Sequence, residues 1–97
     1  MSTTVLLEVT LKEGATEVDR ILRETLQQTA AFPGNEALEV IIDDRAPRQY
    51  VVVEKWATSA DHDAYVAWRS TPEGASRLGD IIAGPPTTRT FERSVEL

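Results

Sequence analysis

The order of hydrophobic patterns along this 97-residue chain predicts an α+β domain of the ferredoxin-like, split βαβ class. Four segments alternate apolar and polar residues as half-buried strands do, and two segments repeat apolar residues at helical spacing. They follow one another as β-α-β-β-α-β, with a further short helix predicted before the last strand. This order predicts a four-stranded antiparallel sheet with the helices on one face, in a single domain spanning residues 1–97.

The first strand and first helix are predicted in the N-terminal third. Residues 4–12 alternate, and their apolar side is formed by Val5, Leu7, Val9 and Leu11. Thr16 and Asp19 have the spacing of a helix cap. The apolar stripe of the following helix consists of Val18, Ile21, Leu22, Thr25, Leu26 and Thr29. Phe32-Pro33-Gly34 is predicted to end this helix.

The second and third strands are predicted to form a hairpin. Residues 36–44 alternate in the same way, and residues 50–56 are rich in β-branched and aromatic side chains that suit a packed sheet. The turn Asp44-Arg45-Ala46-Pro47 joins these two segments directly, which indicates antiparallel neighbours.

The second helix is predicted over residues 59–70, in a stretch that holds both tryptophans, both tyrosines and the only histidine. Thr58 and Ser59 supply hydroxyls that can accept from the free amides of the first turn. Ala64, Tyr65 and Trp68 fall on one face of this helix.

The C-terminal segment is predicted to contain a short helix and the last strand. Thr71-Pro72-Glu73 reads as a fresh helix start with proline at the first helical position. Gly84-Pro85-Pro86 ends this short helix, and residues 87–95 form the last strand.

The sheet is predicted to be apolar on both faces, because the third strand carries Tyr50, Val52 and Trp56 on one side and Val51 and Val53 on the other. The first strand adds Leu6 on the side opposite its main apolar residues, and the helices can cover only one face. A large uncovered apolar patch is unusual on a monomer. We therefore expect a homodimer whose sheets pack face to face, the alternative being a monomer with an irregular cover.

The composition is that of an ordinary soluble globular protein, with 41% hydrophobic and 27% charged residues. The net charge of -6 argues against nucleic acid as a partner. No apolar run reaches the roughly 18 residues of a membrane helix, and no signal peptide is visible. The absence of cysteine and the lone histidine predict no metal site, and they fit a cytoplasmic location.

The residues Glu54-x-Trp56-x-x-Ser59, followed by a helix that ends Trp68-x-Ser70, resemble the antibiotic biosynthesis monooxygenase (ABM) superfamily over nearly the whole chain. The resemblance implies a dimeric α+β barrel with an apolar pocket between sheet and helices. Several members oxidise phenols, hydroquinones or anthrones with O2 and without metal, flavin or haem. Other members degrade haem, and some catalyse isomerisation.

The resemblance also implies site residues. The quinone-forming branch places a tryptophan, a tyrosine, an asparagine and an arginine around its pocket. Trp56, Tyr65 and Arg77 are the counterparts in this chain, whereas the only asparagine, Asn35, lies elsewhere.

The haem-degrading branch places a tryptophan late in the second helix and a histidine ten residues further on. Trp68 matches the tryptophan, but Leu78 occupies the histidine position, so the iron would lack its axial ligand. We therefore expect neither haem nor another cofactor.

Cofactor-free oxygenation needs a proton acceptor, a group that stabilises the oxyanion and a dry pocket. His62 can accept a proton, Tyr65 can donate its hydroxyl, and we add Arg77 as a third catalytic candidate. The predicted substrate-binding walls are Trp68, Trp56 and Phe32. Each candidate has a plainer interpretation: the aromatic residues pack in the core, His62 is solvated between two aspartates, and Arg77 is a surface charge.

Glu54 points the same way as Trp56 along the third strand. A buried glutamate needs a partner, so we expect Glu54 to form an ion pair across the dimer, the alternative being a base with a raised pKa.

The function predicted from these observations is a cofactor-independent monooxygenase that oxidises a small aromatic substrate (hydroquinone, phenol or anthrone type) with O2. One alternative is an isomerase or tautomerase of the same fold. Another is a non-catalytic dimeric protein that binds a ligand.

Overall fold

The structure is a computed structural model that describes residues 2–97. Within these residues the elements are β1 (Thr3–Thr10), α1 (Val18–Ala31), β2 (Asn35–Asp43), β3 (Ala46–Trp56), α2 (Ser59–Arg69), a 3-10 turn (Leu78–Asp80) and β4 (Thr87–Phe91). The strands pair antiparallel in the order β2-β3-β1-β4. The predicted α+β, ferredoxin-like fold with a four-stranded antiparallel sheet is therefore confirmed.

The register of β1 against β3 decides which side chains face the helices. Val5 lies opposite Glu54, and Leu7 lies opposite Val52. Because side chains alternate along a strand, these residues share the inner face of the sheet, which α1 and α2 cover. Leu6 and Val53, which are also opposite each other, lie on the outer face.

The core lies between α1 and one end of the sheet. Its buried members are Val9, Leu11, Ile21, Leu22, Ile81 and Ile82. The segment around Ile81 continues the edge of β1, because Lys12 donates to the Ile81 carbonyl and Ala83 donates to the Thr10 carbonyl. This attachment brings the chain back across the fold before β4 begins.

The ends of the helices follow from local chemistry. The side chain of Thr58 accepts a hydrogen bond of 3.1 Å from the Asp61 amide, as expected of a cap for α2. The cap predicted for α1 at Thr16 is wrong, because α1 starts after Glu17, which has a left-handed backbone (φ 58°). Gly34 follows the end of α1 with φ 92°, and a side chain at this position would also collide with Asp61.

The α-helix predicted after Thr71-Pro72-Glu73 is also wrong, since residues 72–74 form a turn and residues 75–77 are not helical. The Thr71 hydroxyl donates to the Trp68 carbonyl and accepts from the Gly74 amide, so these groups bond locally instead of forming a helix. The Gly74 carbonyl accepts from Arg69 rather than from a following helical amide.

The last strand ends at Phe91 rather than at residue 95. Phe91 pairs with Thr4, next to the first residue of β1, so residues beyond it run past the end of their neighbour. Within residues 2–97, no helix is long and apolar enough to span a membrane.

The outer face of the sheet carries the apolar residues that suggested a dimer. Leu6, Val51 and Val53 are half-buried there, while Ile41 and Phe91 are 49% and 40% exposed. The homodimer through this face, and its alternative of a monomer, stay predictions.

Candidate active site

A largely apolar cavity of about 420 Å³ lies between the inner face of the sheet and the helices. Its walls come from β1, β3, α1, α2 and the segment after α2, and its apolar lining includes Leu7, Val9, Leu22, Leu26, Val52, Leu78 and Pro86. The polar lining consists of Thr25, Thr29, Glu54, Tyr65, Arg69 and Ser76. The cavity therefore combines an apolar surface with a few convergent polar groups, as small-molecule sites generally do.

Glu54 forms part of the cavity wall and is buried, with 4% of its surface exposed. Its Oε1 accepts a hydrogen bond of 2.9 Å from Nε1 of Trp56, which is fully buried. Burial raises the pKa of the Glu54 carboxyl, and the Trp56 bond and the positive charge of Arg69 offset part of that increase. The predicted ion pair across the dimer is wrong, because Glu54 lies on the inner face of the sheet, away from the outer face proposed for dimerisation.

Arg69, at the end of α2, has every guanidinium N–H engaged within the protein. A guanidinium has five N–H donors. The acceptors are the Tyr65 hydroxyl (2.8 Å), the Gln28 side chain (2.8 Å), the Gly74 carbonyl (3.1 Å), the Thr25 carbonyl (2.8 Å) and the Thr29 hydroxyl (3.2 Å). Arg69 thus ties α2 to α1 and to the loop after α2, and it can act on a ligand through its charge rather than through a free N–H.

The hydroxyl of Tyr65 lies between Thr29 and Arg69, and the direction of its hydrogen bonds can be deduced. The Thr29 hydroxyl donates its one hydrogen to the Thr25 carbonyl at 3.1 Å. Thr29 must then accept from Tyr65 at 2.7 Å, while Tyr65 accepts from Nε of Arg69. The phenol is held in place, and its hydroxyl hydrogen is already engaged in the hydrogen bond to Thr29.

The other aromatic residues pack mainly against one another. The Phe32 ring is 6.2 Å from Trp56, 5.4 Å from Tyr65 and 5.4 Å from Trp68, measured between centroids. The Trp56 ring lies 5.1 Å from Tyr65 and 5.5 Å from His62. These edge-on and tilted contacts form a continuous aromatic cluster behind one wall of the cavity.

Among the six predicted site residues, Tyr65 lines the cavity and the other five lie elsewhere. Trp56 touches the site through its bond to Glu54. Phe32 and Trp68 border a separate shallow groove at the surface.

His62 is buried rather than solvated, with 9% of its surface exposed. Burial lowers the pKa of its imidazole, and Asp63 offsets part of this decrease. Arg77 is exposed and pairs with Asp80 at 3.2 Å and with Glu17 at 3.8 Å. Neither His62 nor Arg77 lines the cavity.

Sequence reasoning did not assign Arg69 to the site, and it gave Glu54 the wrong partner. The signal for Arg69 was its position four residues after Tyr65, which places both on one helix face. Thr25 and Thr29 gave a second signal, since both interrupt the apolar stripe of α1 with hydroxyls. Within residues 2–97, no three His, Cys, Asp or Glu side chains converge to hold a metal ion.

Comparison with known proteins identifies the family. The model of the antibiotic biosynthesis monooxygenase family matches residues 3–73, which is most of the chain. The chain belongs to this family, as the sequence resemblance predicted. The matched range ends just before the loop that supplies Ala75, Ser76 and Leu78 to the cavity wall. No curated protein sequence matches the chain.

Solved structures share the fold at low sequence identity. A variant of SnoaB, a cofactor-independent oxygenase from Streptomyces nogalater, superposes with a TM-score of 0.80 at 18% identity, covering 99% of this chain and 96% of that one. A conserved protein from Methanosarcina mazei Go1 gives 0.81 at 14% identity, covering 97% and 94%. A protein from Mycobacterium tuberculosis gives 0.76 at 15% identity, covering 99% and 98%.

Proposed function

We propose that this protein is a cofactor-independent monooxygenase that oxidises a small aromatic substrate, of the hydroquinone, phenol or anthrone type, with O2. The observation that carries the proposal is the apolar cavity of about 420 Å³ with the buried carboxyl of Glu54 in its wall. The volume falls within the range of roughly 300–1,000 Å³ that is typical of small-molecule sites. Membership of the antibiotic biosynthesis monooxygenase family, and the shared fold with an oxygenase described as cofactor-independent, support the same conclusion.

The reaction requires little from the protein beyond a dry, shaped site and proton transfer. For a substrate with an activated methylene group, loss of a proton gives a resonance-stabilised carbanion that can pass electrons to O2 directly. The carbon then gains one oxygen atom and loses two hydrogens, while the second oxygen leaves as water. An apolar lining excludes bulk water from the reactive anion, which limits side reactions.

An isomerase or tautomerase is the second candidate, and the same buried carboxyl favours it. A titratable group in an apolar cavity can move a proton between two substrate atoms without O2. The third candidate, a non-catalytic ligand-binding protein, draws support from the aromatic cluster, because Trp56 and Phe32 pack on each other rather than on the cavity.

Oxygen consumption by the purified protein, measured with an electrode over a panel of hydroquinones, phenols and anthrones, tests the proposal. Leu78→Trp should fill the cavity from its wall and abolish protein-dependent uptake. Gly79→Trp is the matched control, because a Cβ atom added at this neighbouring residue meets nothing within 4 Å. Product formation without oxygen uptake would establish the isomerase instead, and equal activity in both variants would place the reaction outside this cavity.

The assembly and location predicted from the sequence remain parts of this proposal. The half-buried outer residues Leu6, Val51 and Val53 support a homodimer, which sedimentation equilibrium would detect as a particle of twice the 10.7 kDa chain mass. We keep the cytoplasm as the proposed location.

A further inference from the structure

The groups in the cavity wall differ in whether they are free to exchange a proton with a ligand. All five N–H donors of Arg69 are bound to protein acceptors, and the Tyr65 hydroxyl already donates to Thr29. The Glu54 carboxyl receives a hydrogen bond from Trp56 on Oε1. Residues 2–97 provide no second hydrogen bond to this carboxyl, so its other oxygen retains its capacity to bind a proton.

We propose that Glu54 is the catalytic proton acceptor of this cavity and that Trp56 is a positioning residue that orients its carboxyl. The proposal rests on the proposed function, since it names the residue that starts the reaction described above. It replaces His62, the proton acceptor expected from the sequence, which packs against Trp56 and does not line the cavity.

The proton transfers balance over the whole reaction. The Glu54 carboxylate takes a proton from the methylene carbon, and the electrons of that C–H bond remain on the substrate as a carbanion. The carbanion adds O2 through a C–O bond, and the neutral Glu54 returns its proton to the resulting peroxide. The carboxylate then removes the second hydrogen of that carbon as the O–O bond breaks. This step forms a C=O bond, and the released hydroxide takes the proton from Glu54 and leaves as water.

The surroundings of Glu54 suit this role. A carboxyl whose pKa is raised by burial is a stronger base than one in water, and it accepts a proton at a lower energetic cost. The charged and titratable groups that face it are Arg69 and Tyr65, both from α2, whereas α1 contributes the uncharged Thr25 and Thr29. The positive charge of Arg69 remains in the wall while the negative charge passes from Glu54 to the substrate, so the cavity never holds an isolated anion.

Trp56 fixes one oxygen of the carboxyl and thereby aims the other. The indole N–H can donate but not accept, so its 2.9 Å bond constrains the carboxyl of Glu54 without competing for the substrate proton. Loss of this donor should raise the pKa of Glu54 further, because the bond favours the ionised form.

The experiment separates proton abstraction from oxygenation. Anthrone is incubated with the protein in D2O without O2, and exchange of its methylene hydrogens is followed by NMR, in parallel with oxygen uptake in air. We expect wild-type protein to accelerate both processes and Glu54→Gln to lose about 100-fold or more of each, as removal of a general base does. Glu54→Asp should recover part of the exchange. Glu13→Gln, at an exposed turn position before α1, is the matched control and should behave as wild type.

The positioning role of Trp56 has its own readout. Trp56→Phe keeps an aromatic ring but loses the N–H, and we expect the acid limb of the pH–rate profile to move to higher pH. A purely structural role would lower the rate without moving this limb.

The outcomes distinguish the two proposals. Oxygen uptake that is unchanged in folded Glu54→Gln would overturn the assignment of Glu54 and leave the oxygenase standing. Exchange that depends on Glu54, without any oxygen uptake, would support the assignment and refute the oxygenase. Absence of both activities in the wild-type protein would overturn both.

Discussion

Replacement of Arg69 by lysine should destabilise the protein although it keeps the positive charge. The Arg69 guanidinium spreads five hydrogen bonds over three nitrogen atoms, and the acceptors belong to α1, α2 and the loop after α2. A lysine offers three donors on one nitrogen, so at least two acceptors lose their partner.

The loss of stability depends on which of these acceptors can bind water in place of the guanidinium. The bond to Gln28 is exposed and contributes little, whereas the bonds to Tyr65, Thr25, Thr29 and Gly74 are partly buried. A partly buried acceptor left without a donor costs about 1–3 kcal/mol. We therefore expect Arg69→Lys to lower the free energy of unfolding by about 2 kcal/mol, which corresponds to a fall in Tm of roughly 8–16 °C for a domain of this size.

Urea unfolding followed by tryptophan fluorescence, at one protein concentration for all variants, would measure this loss. Arg23→Lys is the matched control, because Arg23 is an exposed residue of α1 with no hydrogen bond or ion pair among residues 2–97. A loss below about 0.5 kcal/mol, equal to that of a neutral surface substitution, would refute the view that the guanidinium fastens these three elements.

Two further predictions concern other positions. Gly74→Ala should lower the free energy of unfolding by about 1–3 kcal/mol, because the added methyl group would collide with the Trp68 carbonyl. Gly79→Ala is the control, because its methyl group has open space and should be neutral or stabilising. Similar melting temperatures for the two variants would refute this prediction. Burial lowers the pKa of His62, so the folded state binds its proton less readily than the unfolded state does. The free energy of unfolding of the protein should therefore fall as the pH drops from about 7 through 6.5 towards the lowered pKa. Urea titrations at each pH should show a weaker pH dependence of this free energy in His62→Phe.

The strands and long helices were predictable because their periodicity coincides with their burial. Val5 and Val9 alternate in sequence and are buried in the structure, and Thr58 caps α2 as its side chain suggested. The segment from Thr71 to Ile82 was not predictable in this way. Its apolar spacing resembles that of a helix, but its Gly74 carbonyl accepts a hydrogen bond from the side chain of Arg69. The spacing of apolar residues does not reveal a side-chain bond of this kind.

The site could be predicted only in part for a related reason. Tyr65 was identified because the spacing of residues in α2 predicts which helix face it lies on. The sequence places Trp56 and Glu54 on the same side of β3, but it does not show which side of the sheet the helices cover. Glu54 lines a cavity if the helices cover its side, and it could meet a partner chain if they do not. Arg69 was overlooked because its role depends on acceptors from α1, α2 and the loop after α2 that meet at one guanidinium.

The exposure of β4 has a consequence for how a ligand enters. All five residues of β4 are exposed, and the strand is held at the sheet edge by its pairing with β1. Its amides should therefore exchange with solvent deuterium sooner than those of β3, whose Val52 and Trp56 are buried. Pro86, immediately before β4, forms part of the cavity wall. Transient fraying of β4 would loosen the part of the cavity wall next to Pro86. The part of the wall built on β3 and α1 would stay closed, so a ligand would enter the cavity from the side of β4.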